Sequence, residues 1–139
     1  MKTSIILFFT AILLVVSCGG TKSTADALYG PTWELEYISG PRIAFEGLFP
    51  EKKPQITFDK ASGKVTGTDS CNGYSADYEL AENTIVFGDP GPTTMMFCGG
   101  SERQFLQMMK KIDGYSVKEG KLNLLVGDVP MMRFKKVNP

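Results

Sequence analysis

Three cysteines, Cys18, Cys71 and Cys98, carry most of the reactive chemistry in this chain. A thiolate can be acylated, can pair with another thiol under oxidising conditions, or can hold a soft metal ion. Cys18 directly follows a short apolar N-terminal run, where a lipid would be attached. Cys71 and Cys98 lie in the body of the chain. There they would close a disulfide, remain as two buried thiols, or supply half of a zinc site. A zinc site would have to recruit carboxylates, because the chain contains no histidine. That absence also removes the commonest general base and the usual neutral-pH switch, which weighs against an enzyme.

Other chemistry-bearing patterns resolve into packing or solvent exposure. Glu34 and Glu36 fall on one face of an expected strand, as paired hydrolytic carboxylates would. Alternation with Trp33, Leu35 and Tyr37 sends them to the solvent side instead. The pairs Met95-Met96, Met108-Met109 and Met131-Met132 would suit copper(I) if they converged. Neighbours on a strand face opposite ways, and Met108 and Met109 fit a helix core face, so these pairs read as packing. Gly30-Pro31, Gly40-Pro41 and Gly91-Pro92 read as turns rather than phosphate loops. No metal and no cofactor is expected, and a carboxylate-dependent enzyme stays a remote alternative.

The N-terminus reads as an address. Met1-Lys2 is a minimal basic start, and Ile5 to Val16 is apolar except for Thr10. Such a run suits a signal peptide and is too short for a spanning helix of about 20 residues. Val15-Val16-Ser17-Cys18 resembles a bacterial lipobox. The resemblance implies a signal peptide over 1–17, cleavage before Cys18 and lipidation there. Several acyl chains would anchor the protein stably to a membrane. Residues 18–28 read as a flexible tether and 29–139 as one domain. By likeness to lipoprotein sorting signals, the absence of Asp at position 19 points to the outer membrane, facing the periplasm. The whole chain has 15 basic and 15 acidic side chains; losing Lys2 with the signal leaves 14 against 15. A chain this close to neutral has no electrostatic case for nucleic acid.

The elements that would position these residues are mostly strands. Trp33/Leu35/Tyr37, Ile56/Phe58 and Tyr74/Ala76/Tyr78/Leu80 alternate with polar residues, and Thr84–Phe87 continues the pattern. Glu119-Gly120 is a two-residue hairpin signal between 115–118 and 121–125. Ser101, with Gln104 three residues on, reads as a capping box. Phe105, Met108, Met109 and Ile112 form one helix face, with Lys110-Lys111 in the last turn and Gly114 as the stop. The reading is an α+β domain, mostly antiparallel. About eight short strands curl into an open barrel-like sheet with one packed amphipathic helix.

Ser70-Cys71-Asn72-Gly73-Tyr74 and Thr93-Thr94-Met95-Met96-Phe97-Cys98 are the distinctive stretches. With Trp33-Glu34-Leu35, Gly67 and the Phe105-Leu106 helix, they resemble the META domain, the HslJ-like family. The resemblance runs from about Trp33 to Phe134. Phe97 stands where the family commonly has a small residue, and Ser70 where Gly is common. What it implies is a compact β-rich bacterial envelope domain, linked to stress and drug tolerance, with no catalytic residue to carry over. A Cys71–Cys98 bridge is the preferred reading of those two thiols. It would remove about 3–4 kcal/mol of unfolded-state freedom in the chain-entropy model. Trp33, Asn72, Tyr74, Thr94 and Met96 are expected to be structural. Asn72 should tolerate positive φ and bond its own backbone, and Thr94 should bond a nearby backbone group. The segment from Gly88 to Gly100 carries more apolar weight than a connector needs, in Met95, Met96 and Phe97. It is the expected contact surface of a monomer that binds an envelope protein or a small apolar ligand. The alternative is an inhibitor module that presents the same loop to a periplasmic hydrolase or protease.

Overall fold

The computed structural model describes residues 25–137. The 1–17 signal segment, Cys18 and the rest of the tether up to residue 24 lie outside the described residues. Strands run over Thr32–Ile38 (β1), Gln55–Asp59 (β2), Lys64–Thr68 (β3), Gly73–Ala81 (β4), Thr84–Phe87 (β5), Gly91–Pro92 (β6), Gly114–Lys118 (β7), Lys121–Val126 (β8) and Val129–Val137 (β9). Two helices interrupt them, Phe45–Leu48 (α1) and Ser101–Met109 (α2). All strand pairs are antiparallel, in the order β3-β2-β1-β9-β8-β7-β5-β4, and a β3–β4 pairing closes the circle. The expected curl therefore goes to a closed eight-stranded barrel, which leaves those strands no free edge.

β6 is a ninth, two-residue strand lying on β4 (Tyr74↔Pro92, Ser75↔Gly91). The sequence places no strand there, because Pro92 cannot donate to a ladder. Pro92 sits where no donor is required, and the ladder continues through Thr93 N–H to Gly73 C=O at 2.8 Å. The seam between β5 and β7 is short, with the single pair Thr84↔Gly114. Asp26–Leu28, assigned to the tether by sequence, instead forms a 3₁₀ turn whose Leu28 is fully buried.

The alternating strands deliver the expected core. Trp33, Leu35, Ile56, Val65, Ile85, Leu122, Leu124, Met132 and Phe134 are fully buried inside the barrel. β1 departs from the simple pattern. Its register with β9 slips between Leu35 and Tyr37, so Tyr37 turns outward and Ile38 inward. The bulged residue is Glu36, which reaches Lys121 at 2.6 Å and Arg133 at 2.8 Å. The Lys121 hydrogen bond, and then the Arg133 one, hold its carboxyl below the usual carboxylate range against the opposing effect of burial. Glu34 bonds Gln55 at 3.0 Å and Lys135 at 3.2 Å on the same outer face.

α2 packs onto the barrel through Phe105 and Met109, with Met108 half-buried, and Ile112 in the turn that follows is buried beside them. Its N-cap is Gly100 at φ 95°, not Ser101, and no side-chain capping box forms. Gly99 at φ 87° and Gly100 bring the chain into the helix through a left-handed pair, a path that a serine N-cap would not take. Glu102 accepts the Gly100 N–H at 2.9 Å instead. The helix ends at Met109, so Lys110 is its C-cap and Gly114 opens β7.

Candidate functional site

β3 runs into a tight bend, Asp69-Ser70-Cys71-Asn72, before β4 begins. Ser70 takes the left-handed conformation, φ 89°. Asp69 Oδ1 accepts the backbone N–H groups of Cys71 (3.0 Å) and Asn72 (2.6 Å), and Asn72 C=O accepts the Asp69 N–H (2.9 Å). Asp69 thus performs the local turn-forming role expected of Asn72. Relieved of that role, the Asn72 side chain reaches across to the loop before α2. Its Nδ2 donates to Met96 C=O (2.8 Å), and its Oδ1 accepts Met96 N–H (2.7 Å) and the Thr94 hydroxyl (2.8 Å). Thr94 Oγ1 also accepts the Gly73 N–H at 3.3 Å, so Thr94 bonds across the site rather than within its own turn. At about 0.5–1.5 kcal/mol per hydrogen bond, the Asn72 amide is the main polar clamp on this loop.

A second clamp is covalent. Cys71 and Cys98 are joined by a disulfide, their Cα atoms 6.0 Å apart, well within the range such a bridge spans. The bend is therefore tied to the loop twice, at Met96 through Asn72 and at Cys98 through Cys71. Between and beside these ties, Met95 is 91% exposed, Met96 60% and Phe97 85%. Their backbone is held while their side chains face solvent.

Against them lies the outer face of α2, and between the two runs a groove of about 580 Å³. Met95, Met96, Phe97 and Leu106 supply apolar surface, and Arg103 and Lys110 stand on the α2 side. Lys110 is ion-paired with Asp89, and that pairing lowers the Asp89 carboxyl below its ordinary value. Asp69 and Asn72, both buried, also line the groove.

Tyr74 lies behind this site rather than in it. Its ring packs edge-on against Phe105, centroids 5.7 Å apart. Its hydroxyl is buried without a hydrogen-bond partner among the described residues. Burial, and then the Asp69 charge, push the phenol well above its usual value, so it stays neutral. Trp33 takes no part in the site. Its indole N–H donates to Leu28 C=O at 3.0 Å inside the core. Structure thus brings together Cys71, Asn72, Thr94, Met95, Met96, Phe97 and Cys98, and leaves Trp33 and Tyr74 as core. It adds Asp69, which the sequence reading passed over. The available signal was an Asp immediately ahead of a Ser-Cys-Asn-Gly bend. Among the described residues no group of three or more His, Cys, Asp or Glu side chains converges as a metal site would require.

A family model described as the META domain matches residues 26–138. Among solved structures, the chain is similar to an NMR structure of a protein from Burkholderia xenovorans. The TM-score is 0.63 at 19% identity, over 84% of this chain and 90% of that one. It is also similar to a crystal structure of a DUF4847 family protein from Bacteroides vulgatus. There the TM-score is 0.52 at 14% identity, over 77% of this chain and 91% of that one. At these identities the likeness concerns the fold. No curated protein sequence matches the chain significantly.

Proposed function

The chain belongs to the META domain family, and from that premise we propose a non-catalytic, lipid-anchored protein of the bacterial cell envelope that works by binding. The observation that carries this reading is the pairing of an exposed apolar loop, Met95 to Phe97, with a doubly clamped backbone. Exposed apolar side chains on a rigid support bind with little ordering cost, which suits a contact surface better than a connector. The carboxylates that an enzyme would need are engaged elsewhere. Glu34 and Glu36, the strand pair that a hydrolase would use, sit in ion pairs on the outer face. A lipid at Cys18 would hold the protein, as a monomer, on the periplasmic face of the outer membrane. Support for envelope integrity under stress or drug exposure is the role that the HslJ-like resemblance suggests.

Two experiments test the reading. Phe97→Asp is expected to leave the melting temperature within about 2 °C of wild type, because the side chain is exposed, while abolishing capture of the partner or ligand by the anchored protein. Retained binding by a folded Phe97→Asp protein would refute the assignment of the surface. Cys18→Ser is expected to move the protein from the membrane to the soluble fraction without unfolding it. A membrane-bound Cys18→Ser protein would refute lipid anchoring. The inhibitor reading draws on the same clamped loop. Co-purification with a periplasmic hydrolase whose activity falls on binding would favour it.

A further inference from the structure

The groove beside α2 contains a group that a purely apolar docking surface does not require, a buried carboxylate. Asp69 is 2% exposed, and both amides that it holds, those of Cys71 and Asn72, go to Oδ1. Nothing among the described residues donates to Oδ2. An ionised carboxylate has about four acceptor positions, and Oδ2, which is not among the fully buried polar atoms lacking a partner, is the oxygen left open to the groove. The cations that share the groove do not serve it. Lys110 is paired with Asp89, and Arg103 forms no ion pair among the described residues. Glu102 lines the groove as well, with one oxygen on the Gly100 N–H. Among the lining residues the carboxylates Asp69 and Glu102 balance the cations Arg103 and Lys110, and Lys110 is further neutralised by Asp89 just outside. The remaining walls are mostly thioether, aromatic and aliphatic, with the neutral polar side chains of Asn72, Thr94 and Gln107 among them. A volume of about 580 Å³ falls within the usual range for small-molecule sites, roughly 300–1,000 Å³.

We propose that this groove binds a small amphipathic amine, its ammonium on Asp69 Oδ2 and its apolar body against Met95, Met96, Phe97 and Leu106. A primary ammonium is the complement of an acceptor-only oxygen with no donor of its own, and the polarisable side chains favour an aromatic or alkyl body. This names the ligand class of the contact surface proposed above and rests on that reading.

The test titrates the full chain with three matched probes, phenylpropylamine, phenylpropanol and phenylpropanoate, by calorimetry or by NMR shift of the Met95, Met96 and Leu106 methyls. Phenylpropylamine is expected to bind on the order of tenfold to a hundredfold more tightly than the alcohol, and the acid most weakly. Asp69→Asn keeps an Oδ1 to accept the Cys71 and Asn72 amides but replaces the groove-facing oxygen with a donor. It is expected to erase the preference for amine over phenylpropanol. If amine and alcohol bind equally to wild type, the apolar surface stands and the amine assignment falls. If none of the three binds, the amine assignment falls and the contact surface is judged by the Phe97→Asp capture experiment alone. A folded Asp69→Asn protein that still prefers the amine would overturn the role of Asp69. The wild-type probe series decides the ligand class even if that variant fails to fold.

Discussion

Gly67→Ala is expected to destabilise the domain by more than about 3 kcal/mol, enough to leave a large unfolded fraction. Gly67 is the penultimate residue of β3, paired with Ile56 on β2 and Tyr74 on β4. That strand closes the barrel, so it is hydrogen-bonded on both sides. A Cβ built on Gly67 would fall on the carbonyl oxygen of Gln55, within 2.8 Å of its carbon and 3.1 Å of the Ile56 Cα. These are backbone atoms of the neighbouring strand, which cannot rotate away as a side chain would. Relief requires parting β2 from β3, and that breaks the closure. Gly91→Ala is the control, because its Cβ would meet nothing nearer than Ser75 O at 3.8 Å. Urea unfolding checks the pair: a midpoint drop is expected for Gly67→Ala and little change for Gly91→Ala. Equal midpoints would show that β3 does not close against β2 as described. The consequence reaches the site, since Asp69 lies two residues beyond Gly67 on the same strand path.

The special status of Gly67 shows how far the sequence could be read. Where one residue type and a short period suffice, the reading holds. Ile56/Phe58, Tyr74/Ala76/Tyr78 and the Phe105–Ile112 face are local patterns, and they point inward as expected. The Glu119-Gly120 hairpin holds as well, with φ of 51° and 73°, both in the left-handed region that such a turn demands. What was not legible depends on a distant partner. The bulge at Glu36 exists because Lys121 and Arg133 wait outside it on β8 and β9. Gly91-Pro92 becomes a strand because β4 is long enough to receive it. The Ser101 cap fails because the disulfide and the Asn72 clamp fix where the chain enters α2. Of the site, the Cys, Asn, Thr and Met-Met-Phe residues were legible as motifs. Asp69 was not, since its burial requires the loop before α2 to be laid over the bend, a contact of residues some 25 apart in sequence.

Removing the Cys71–Cys98 bridge, by reduction or by Cys71→Ser with Cys98→Ser, is expected to lower stability by about 3–4 kcal/mol, with a melting shift on the order of 15 °C. The bridge spans 27 positions, so its loss returns substantial freedom to the unfolded chain. For a domain whose whole stability is about 5–15 kcal/mol, that is a large share. The folded state should change unevenly. Asn72 keeps its three bonds to Thr94 and Met96 without the disulfide, so the first half of the loop stays in place. Beyond Met96 the chain loses its covalent tie at Cys98, and the entry into α2 through Gly99 and Gly100 is left with the single Glu102 bond to the Gly100 N–H. No side-chain N-cap stands there either, so the first turn of the helix should fray. Hydrogen exchange separates these effects. The Met96 amide, bonded to Asn72 Oδ1, should stay protected, while the amides of Gly99 to Arg103 exchange faster. Loss of protection at Met96 as well would mean that the Asn72 clamp depends on the bridge and that the two act as one unit. Unchanged stability would mean that the bend and the loop hold each other without it. On the expected outcome the two clamps have different tasks: Asn72 sets the position of Met95 and Met96, and the disulfide keeps Phe97 and the start of α2 facing the groove.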